Sequence, residues 1–327
     1  MVGDNRGDPR CCDLVFLGGV LRICEMEVVL LGASGPQAIV ESCASSEAIF
    51  CSGELDFDFR GRFALPPEWC VIGYIHDTPE DSWCHGTPLA AGMAFTVVPE
   101  GISEFMLCKG SRVTIVLLPV ERMRSRLAEL DPYLADGGVR QLSLFRMSGQ
   151  EAGAGLHGYF EQVRRSLMET GDDGPVMPGL DLDAMLTAHL TAGLSSLADS
   201  RPQCSRSRRA HYLVVQRAEQ YMRANLRHDI YNNEMCAAAG VSERTLRYAF
   251  DDMLHISPNR YLSMLRLCTA CRSLALSDAS RRSVKSVALS CGLWDLSRFA
   301  DNYRRVFGEL PRETLMRAPL PDYVRDN

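Results

Sequence analysis

The chain contains no run of about 18 uninterrupted apolar residues, so no membrane-spanning helix is expected. Its opening residues, MVGDNRGDPRCCD, have neither a basic start nor an apolar core region, which argues against an export signal and for a cytoplasmic protein. A Gly-rich phosphate loop and a nucleophile elbow are also missing. So is the His-x-His with a spaced Glu and His that a cupin-type metal enzyme would use. No catalytic residue, cofactor or metal is therefore expected.

What is present is a soluble-protein composition, 46% hydrophobic over 327 residues, enough for two domains that each bury a core. Thirteen cysteines are scattered along the chain, and without an export signal they read as buried, reduced residues rather than a disulfide framework. The net charge of -6 is an average over two unlike parts. Residues 1–203 hold 15 Lys+Arg against 28 Asp+Glu, a net of -13, whereas residues 204–318 hold 19 against 11, a net of +8. An acidic body joined to a basic head suits a polyanionic partner at one end.

The sign changes across SSLADSRPQCSRSRRA, which reads as an exposed joint. It divides the chain into residues 1–200, a linker at 201–210 and a basic domain at 211–318. From about 38 to 119, short apolar runs alternate with Gly and Pro turns, predicting an antiparallel β-barrel or sandwich. From about 120 to 198 the apolar spacing is helical, and the basic domain reads as all helix, which makes the whole chain α+β.

The basic domain repeats itself. Gly240 and Gly292 are 52 residues apart, while Phe250 and Tyr303, like Pro258 and Pro311, are 53 apart. In EMCAAAGVSERTLRYAF the Gly240 turn precedes a helix capped by Ser242, with Leu246 and Phe250 on its inner face; this is the pattern of a helix-turn-helix. At helical spacing Arg244 and Tyr248 point away from that face, flanked by Thr245 and Arg247. The second unit, VKSVALSCGLWDLSRFADNYRRVF, caps at Asp295, turns Phe299, Tyr303 and Val306 inward, and leaves Ser297, Arg298, Asp301, Arg304 and Arg305 outward. Two such units joined by a long helix that opens at Ser257 and Pro258 favour DNA reading over a plain helical bundle with solvated arginines.

AGVSERTLRYAF, SPNRYLSMLRLCTACRSL and VKSVALSCGLWDLSRFADNYRRVFGELPRETL, in that order and spacing, resemble the DNA-binding domain of the AraC/XylS transcriptional regulators. The resemblance implies seven helices with two helix-turn-helix units entering adjacent major-groove segments. Within it Leu267, Ala270 and Leu274 of the long helix are packing residues, Arg266 belongs to the same pattern, and Phe299, Phe307, Gly308 and Pro311 close the fold. The chain departs from the family at His255, where glycine is usual, at Asp301, and at Tyr303, where phenylalanine is usual. More weakly, GMAFTVVPEGISEFMLCKGSRVTIVLLP resembles a strand, turn and strand of the cupin-like regulatory barrel of such proteins. That implies an activator working with RNA polymerase, a homodimer whose contact is the helices between about 154 and 198, and room for a small-molecule effector. The rival that those helices only cover the barrel stands beside it.

Other motifs have plainer readings. Cys268 and Cys271 form a C-x-x-C inside a helix without a second ligand pair, and read as packing. His76, Cys84 and His85 read as loop or core residues, and Cys11-Cys12 as a terminal thiol pair. Trp69, Trp83, Tyr74 and Phe95 are candidates for a barrel interior, filled or ligand-holding. The competing functions are a cupin-type metal enzyme with accessory helices, which bound iron or manganese would reveal, and a non-specific architectural DNA protein, which equal affinity for all sequences would reveal.

Overall fold

A computed structural model describes residues 25–32, 38–99, 101–130, 142–146, 150–168, 179–199, 204–278 and 280–317. Cys11-Cys12 and part of the expected linker lie outside them.

Eleven described strands form two facing antiparallel sheets rather than one continuous closed barrel. The five-stranded sheet runs β1 (Glu25–Leu30), β4 (Phe59–Ala64), β9 (Ile102–Leu107), β6 (Trp83–Cys84) and β7 (Thr87–Pro88). The six-stranded sheet runs β11 (Leu142–Arg146), β8 (Met93–Val97), β5 (Trp69–Asp77), β10 (Arg112–Pro119), β3 (Ile49–Leu55) and β2 (Ala38–Ala44). Two strands correct the expected boundaries. β1 precedes residue 38, and β11 interrupts the section expected to be helical, pairing with β8. Each is a single short run whose place depends on a distant partner strand.

Alternation divides each strand between two environments. In β10, Val113 and Ile115 face the space between the sheets. Val116 and Leu118 join Ile72 and Phe50 in a second core. Helices α1 (Val120–Leu130), α2 (Gln150–Met168) and α3 (Leu182–Asp199) cover that second face, burying Leu156, Phe160, Met185 and Leu186 completely. The same alternation sorts three of the four aromatic candidates. Phe95 does line the space between the sheets. Tyr74 instead stacks on Phe160 of α2, with ring centroids 5.5 Å apart, and Trp83 points out of the sandwich toward the C-terminal helices.

Those helices are α4 (Arg206–Ala224), α5 (Asn232–Ala239), α6 (Glu243–Leu254), α7 (Pro258–Ala275), α8 (Val284–Ser290), α9 (Leu296–Phe307) and α10 (Pro311–Met316). α4 opens at Arg206, earlier than the expected domain start, because Ser205 caps it by accepting from the Arg208 amide. Ser257 accepts from the Arg260 amide and Pro258 takes the first helical position, as the sequence indicated for α7. Leu267, Ala270 and Leu274 are buried along it.

The two helix pairs are built alike. Gly240 ends α5 and Gly292 follows α8, both with positive φ. Leu246 and Phe250 are buried in the first unit, and Phe299, Tyr303 and Val306 in the second. Tyr303 keeps its hydroxyl satisfied against Thr314 Oγ1 at 2.7 Å, which explains how tyrosine replaces phenylalanine at a fully buried position.

Candidate nucleic-acid interface

The first outward face is the N-terminal half of α6. Ser242 Oγ accepts from the Thr245 amide at 3.2 Å and lies 2.9 Å from its hydroxyl, fixing the start of the helix. Ser242, Arg244, Thr245, Arg247 and Tyr248 are all exposed. Arg244 lies over the Tyr248 ring, 5.4 Å from its centroid, and donates to its hydroxyl at 3.3 Å. Stacking pre-orders a flat guanidinium that can donate two parallel hydrogen bonds to a guanine edge. Asn232 Nδ2 donates to Glu243 at 3.0 Å and ties α5 to this helix.

The second face is on α9. Asp295 accepts from the Arg298 amide at 3.0 Å, and Ser297, Arg298, Asp301, Arg304 and Arg305 are all exposed. Both sets therefore stand where helical spacing put them. Sequence reading missed Trp294, which is 58% exposed in the turn just before α9. A large aromatic in a polar turn beside a basic face was the available signal, since such side chains usually bury.

The turns beneath these faces show why their residue types are needed. A Cβ on Gly292 would sit 2.2 Å from the Leu226 carbonyl oxygen, and the Arg266 guanidinium packs against the same spot. Arg266 also donates to the His228 carbonyl at 2.6 Å, so it braces the turn from α7. His255 ends α6 at φ 56, the left-handed conformation that Gly308 adopts at the end of α9. Its imidazole lies 3.5 Å from Asp81 of the N-terminal part, a contact glycine could not make.

A second feature escaped sequence reading altogether. Arg60 of β4 is fully buried, with Nη2 2.9 Å from Glu104 of β9 and 3.0 Å from Glu219 of α4. Tyr212 donates to Glu104 and Tyr261 to Glu219, each at 2.7 Å, and Arg223 donates to Glu219 at the same distance. Trp83 caps the cluster: Arg60 lies 4.9 Å from its ring centroid, and its indole N–H donates to the Met253 carbonyl of α6 at 2.8 Å. Burial opposes charge on Glu219, but Arg60 and Arg223 outweigh it and hold the carboxylate below its usual range. Burial likewise opposes charge on Arg60, and Glu219 and Glu104 overcome it. The partners lie up to 170 residues apart, so no local pattern announced them.

The residues weighed for metal or redox chemistry do not assemble. His76 pairs with the Thr114 hydroxyl at 2.9 Å, His85 with the Tyr212 hydroxyl at 3.2 Å, and Cys84 is buried. Among the described residues no group of three or more His, Cys, Asp or Glu could hold a metal ion. Cys268 and Cys271 are buried in α7. Burial pushes the Cys268 thiol up to about 12, the opposite of a reactive cysteine.

Comparison with known proteins agrees with this geometry. A helix-turn-helix domain family matches residues 235–317. Over 107 residues the chain is 36% identical to the XylDLEGF operon transcriptional activator 1 of Pseudomonas putida, covering 32% of each protein. Over 99 residues it is 36% identical to the HTH-type transcriptional regulator GbdR of Pseudomonas aeruginosa, covering 30% of this chain and 26% of that one. A crystal structure of a probable AraC family regulator from Rhodopseudomonas palustris is 36% identical, covers 33% of this chain and 98% of that one, and superposes with a TM-score of 0.30. The matched segment spans about a third of the length of the first of these relatives. No described helix is long and apolar enough to cross a membrane.

Proposed function

The C-terminal helices form an AraC/XylS-type double helix-turn-helix domain, and from that premise we propose that this chain is a sequence-specific DNA-binding transcription regulator acting as an activator. The observation that carries the reading is the pair of exposed polar helix faces on α6 and α9, presented by a segment of net +8. Ser242, Arg244, Thr245, Arg247 and Tyr248 enter one major-groove segment, and Ser297, Arg298 and Asp301 an adjacent one. Arg304 and Arg305, nearer the end of their helix, contact phosphates and set the register. Activation is supported by the names of the relatives and implies contact with RNA polymerase.

In this reading residues 1–200 are a regulatory and dimerisation domain, 201–210 a joint and 211–318 the reader. The double sheet takes a small effector, α2 and α3 pair two copies into a homodimer, and the protein works in the cytoplasm by binding rather than catalysis. Genomic fragments selected on the purified protein, followed by competition against random DNA, test it. The expected outcome is a shared motif bound at least a thousandfold more tightly than random sequence, on the order seen for specific regulators. Equal affinity for both would leave an architectural protein instead, and stoichiometric iron or manganese in the purified protein would favour an enzyme.

A further inference from the structure

We infer that the space between the two sheets is a site for an uncharged, apolar molecule about the size of one aromatic ring, and that its occupancy is transmitted to the DNA-binding helices through the back of the five-stranded sheet. The cavity is about 150 Å³. Among the described residues its lining carries no charged side chain, and Ser103 supplies the only hydroxyl. An apolar cavity of this size stays dry and accepts a benzene-sized guest. A carboxylate or a sugar would lose its hydration there with little in return. Phe105 and Phe95 shape the walls, each ring lying over a glycine on the paired strand. A Cβ on Gly61 would stand 2.3 Å from Phe105, and one on Gly73 2.1 Å from Phe95. Two flat rings seated this way give the slot aromatic faces.

The transmission follows from strand alternation. On β4, Phe59 and Phe63 face the cavity while Arg60, between them, reaches Glu219 of α4. On β9, Ser103 and Phe105 face the cavity while Glu104 accepts from Tyr212 of α4. On β6, Cys84 faces the cavity while Trp83 donates to the Met253 carbonyl of α6. A guest that pushes β4 and β9 outward together therefore moves Arg60 and Glu104 against their partners on α4, and a buried ion pair tolerates little displacement. Coupling between the cavity and the helices is then reciprocal. The site deepens the effector reading above and rests on it for its regulatory meaning.

The test uses the full-length protein without DNA, so its failure is separable from failure of the DNA-binding reading. 4-Fluorotoluene and 4-fluorobenzoate are titrated separately and followed by fluorine NMR. The expected result is saturable one-to-one binding of 4-fluorotoluene and none of 4-fluorobenzoate at equal concentration. Absence of 4-fluorotoluene binding, or equal binding of the acid, overturns the site. Gly53 lines the cavity, and a Cβ there meets nothing closer than 3.6 Å, so Gly53→Leu fills the space from a tolerant position. It should weaken 4-fluorotoluene binding at least tenfold, and full binding by this variant, folded by circular dichroism, also counts against the site. The wild-type comparison stands should the variant not fold. For transmission, hydrogen exchange across residues 206–224 should change at least threefold on saturation with 4-fluorotoluene. Unchanged exchange there, with the guest bound, removes the coupling.

Discussion

Arg244 and Asp301 occupy the outward faces of α6 and α9, and their chemistry sets opposite expectations. Arg244 is already held over Tyr248, so little side-chain freedom is lost when it meets a base. Arg244→Ala should cost about 1–3 kcal/mol at the selected site and much less on random DNA; an equal loss on both, in a titration at fixed salt, would make it a phosphate contact. Asp301 is an exposed carboxylate two residues beyond Phe299 and one turn from Arg304 and Arg305. It repels phosphate but can accept from cytosine N4. Asp301→Ala is expected to tighten binding to random DNA at low salt while blurring sequence preference at the base it faces, and unchanged affinity would remove it from the interface. His255 shows a different balance. Its left-handed backbone strains a residue with a Cβ, while its ring reaches Asp81. His255→Gly should raise thermal stability by up to about 1 kcal/mol through relief of that strain, and a loss of stability would mean that the Asp81 contact outweighs it.

At the scale of elements, the two turns look interchangeable in sequence but are not in space. Gly240 and Gly292 have φ 69 and 72. A Cβ on Gly240 would meet nothing within 4 Å, whereas one on Gly292 would collide with the Leu226 carbonyl. Gly240→Ala should therefore cost about 1–2 kcal/mol, the price of the backbone conformation alone. Gly292→Ala adds a clash with main chain that cannot rotate away, and about 2–4 kcal/mol more is expected from overpacking and strain. Chemical denaturation of the two variants compares them, and equal losses would show that the Leu226 turn yields. The repeat itself was legible because a helix-turn-helix is local: cap, turn glycine and inward aromatics lie within about twenty residues, so Ser242, Leu246 and Phe250 announce one another. β1 and β11 were not legible as parts of the sandwich, because each is a short run whose meaning lies in a distant partner. Trp83, a candidate for the barrel interior, lies on the other face for a related reason, since alternation says that neighbours point oppositely but not which side holds the cavity.

Across the whole molecule, the least legible feature is the one that joins its halves. Arg60, Glu104 and Glu219 come from three separate stretches, and only the packed fold makes them a cluster. Its charges predict how the halves respond to acid. Glu219 and Glu104 are both held below the ordinary glutamate range; burial resists this, and Arg60 overcomes it for both, helped by Arg223 at Glu219 and by the Tyr212 hydroxyl at Glu104. A carboxylate with a depressed folded value stabilises the folded state fully above its unfolded value, and that contribution fades as pH falls through the folded one. The share of the junction's stability held by these carboxylates should thus persist from neutral pH down to about 4.5 and fade progressively toward about 2, where Glu219 takes up its proton in place; His85, bonded to Tyr212 and to the Glu104 amide and lowered by burial, adds a loss within the junction that begins below about 6.5. His76 and His189 add a separate, earlier loss. Burial lowers them to about 4 and about 3, so stability bound up with keeping them neutral declines once pH drops below about 6.5, the value of an unfolded histidine. They lie against the helices that cover the six-stranded sheet, away from the junction. Trp83 separates the two effects because its indole sits in the junction. Its fluorescence, isolated in a Trp69→Phe, Trp294→Phe background, should show a distinct red shift below about pH 4.5, beyond any smaller change that His85 brings below about 6.5. In an Arg60→Met, Glu104→Gln, Glu219→Gln variant that late shift should vanish while the earlier global loss persists; a red shift unchanged by the triple substitution would mean that the charged cluster does not hold the two halves together.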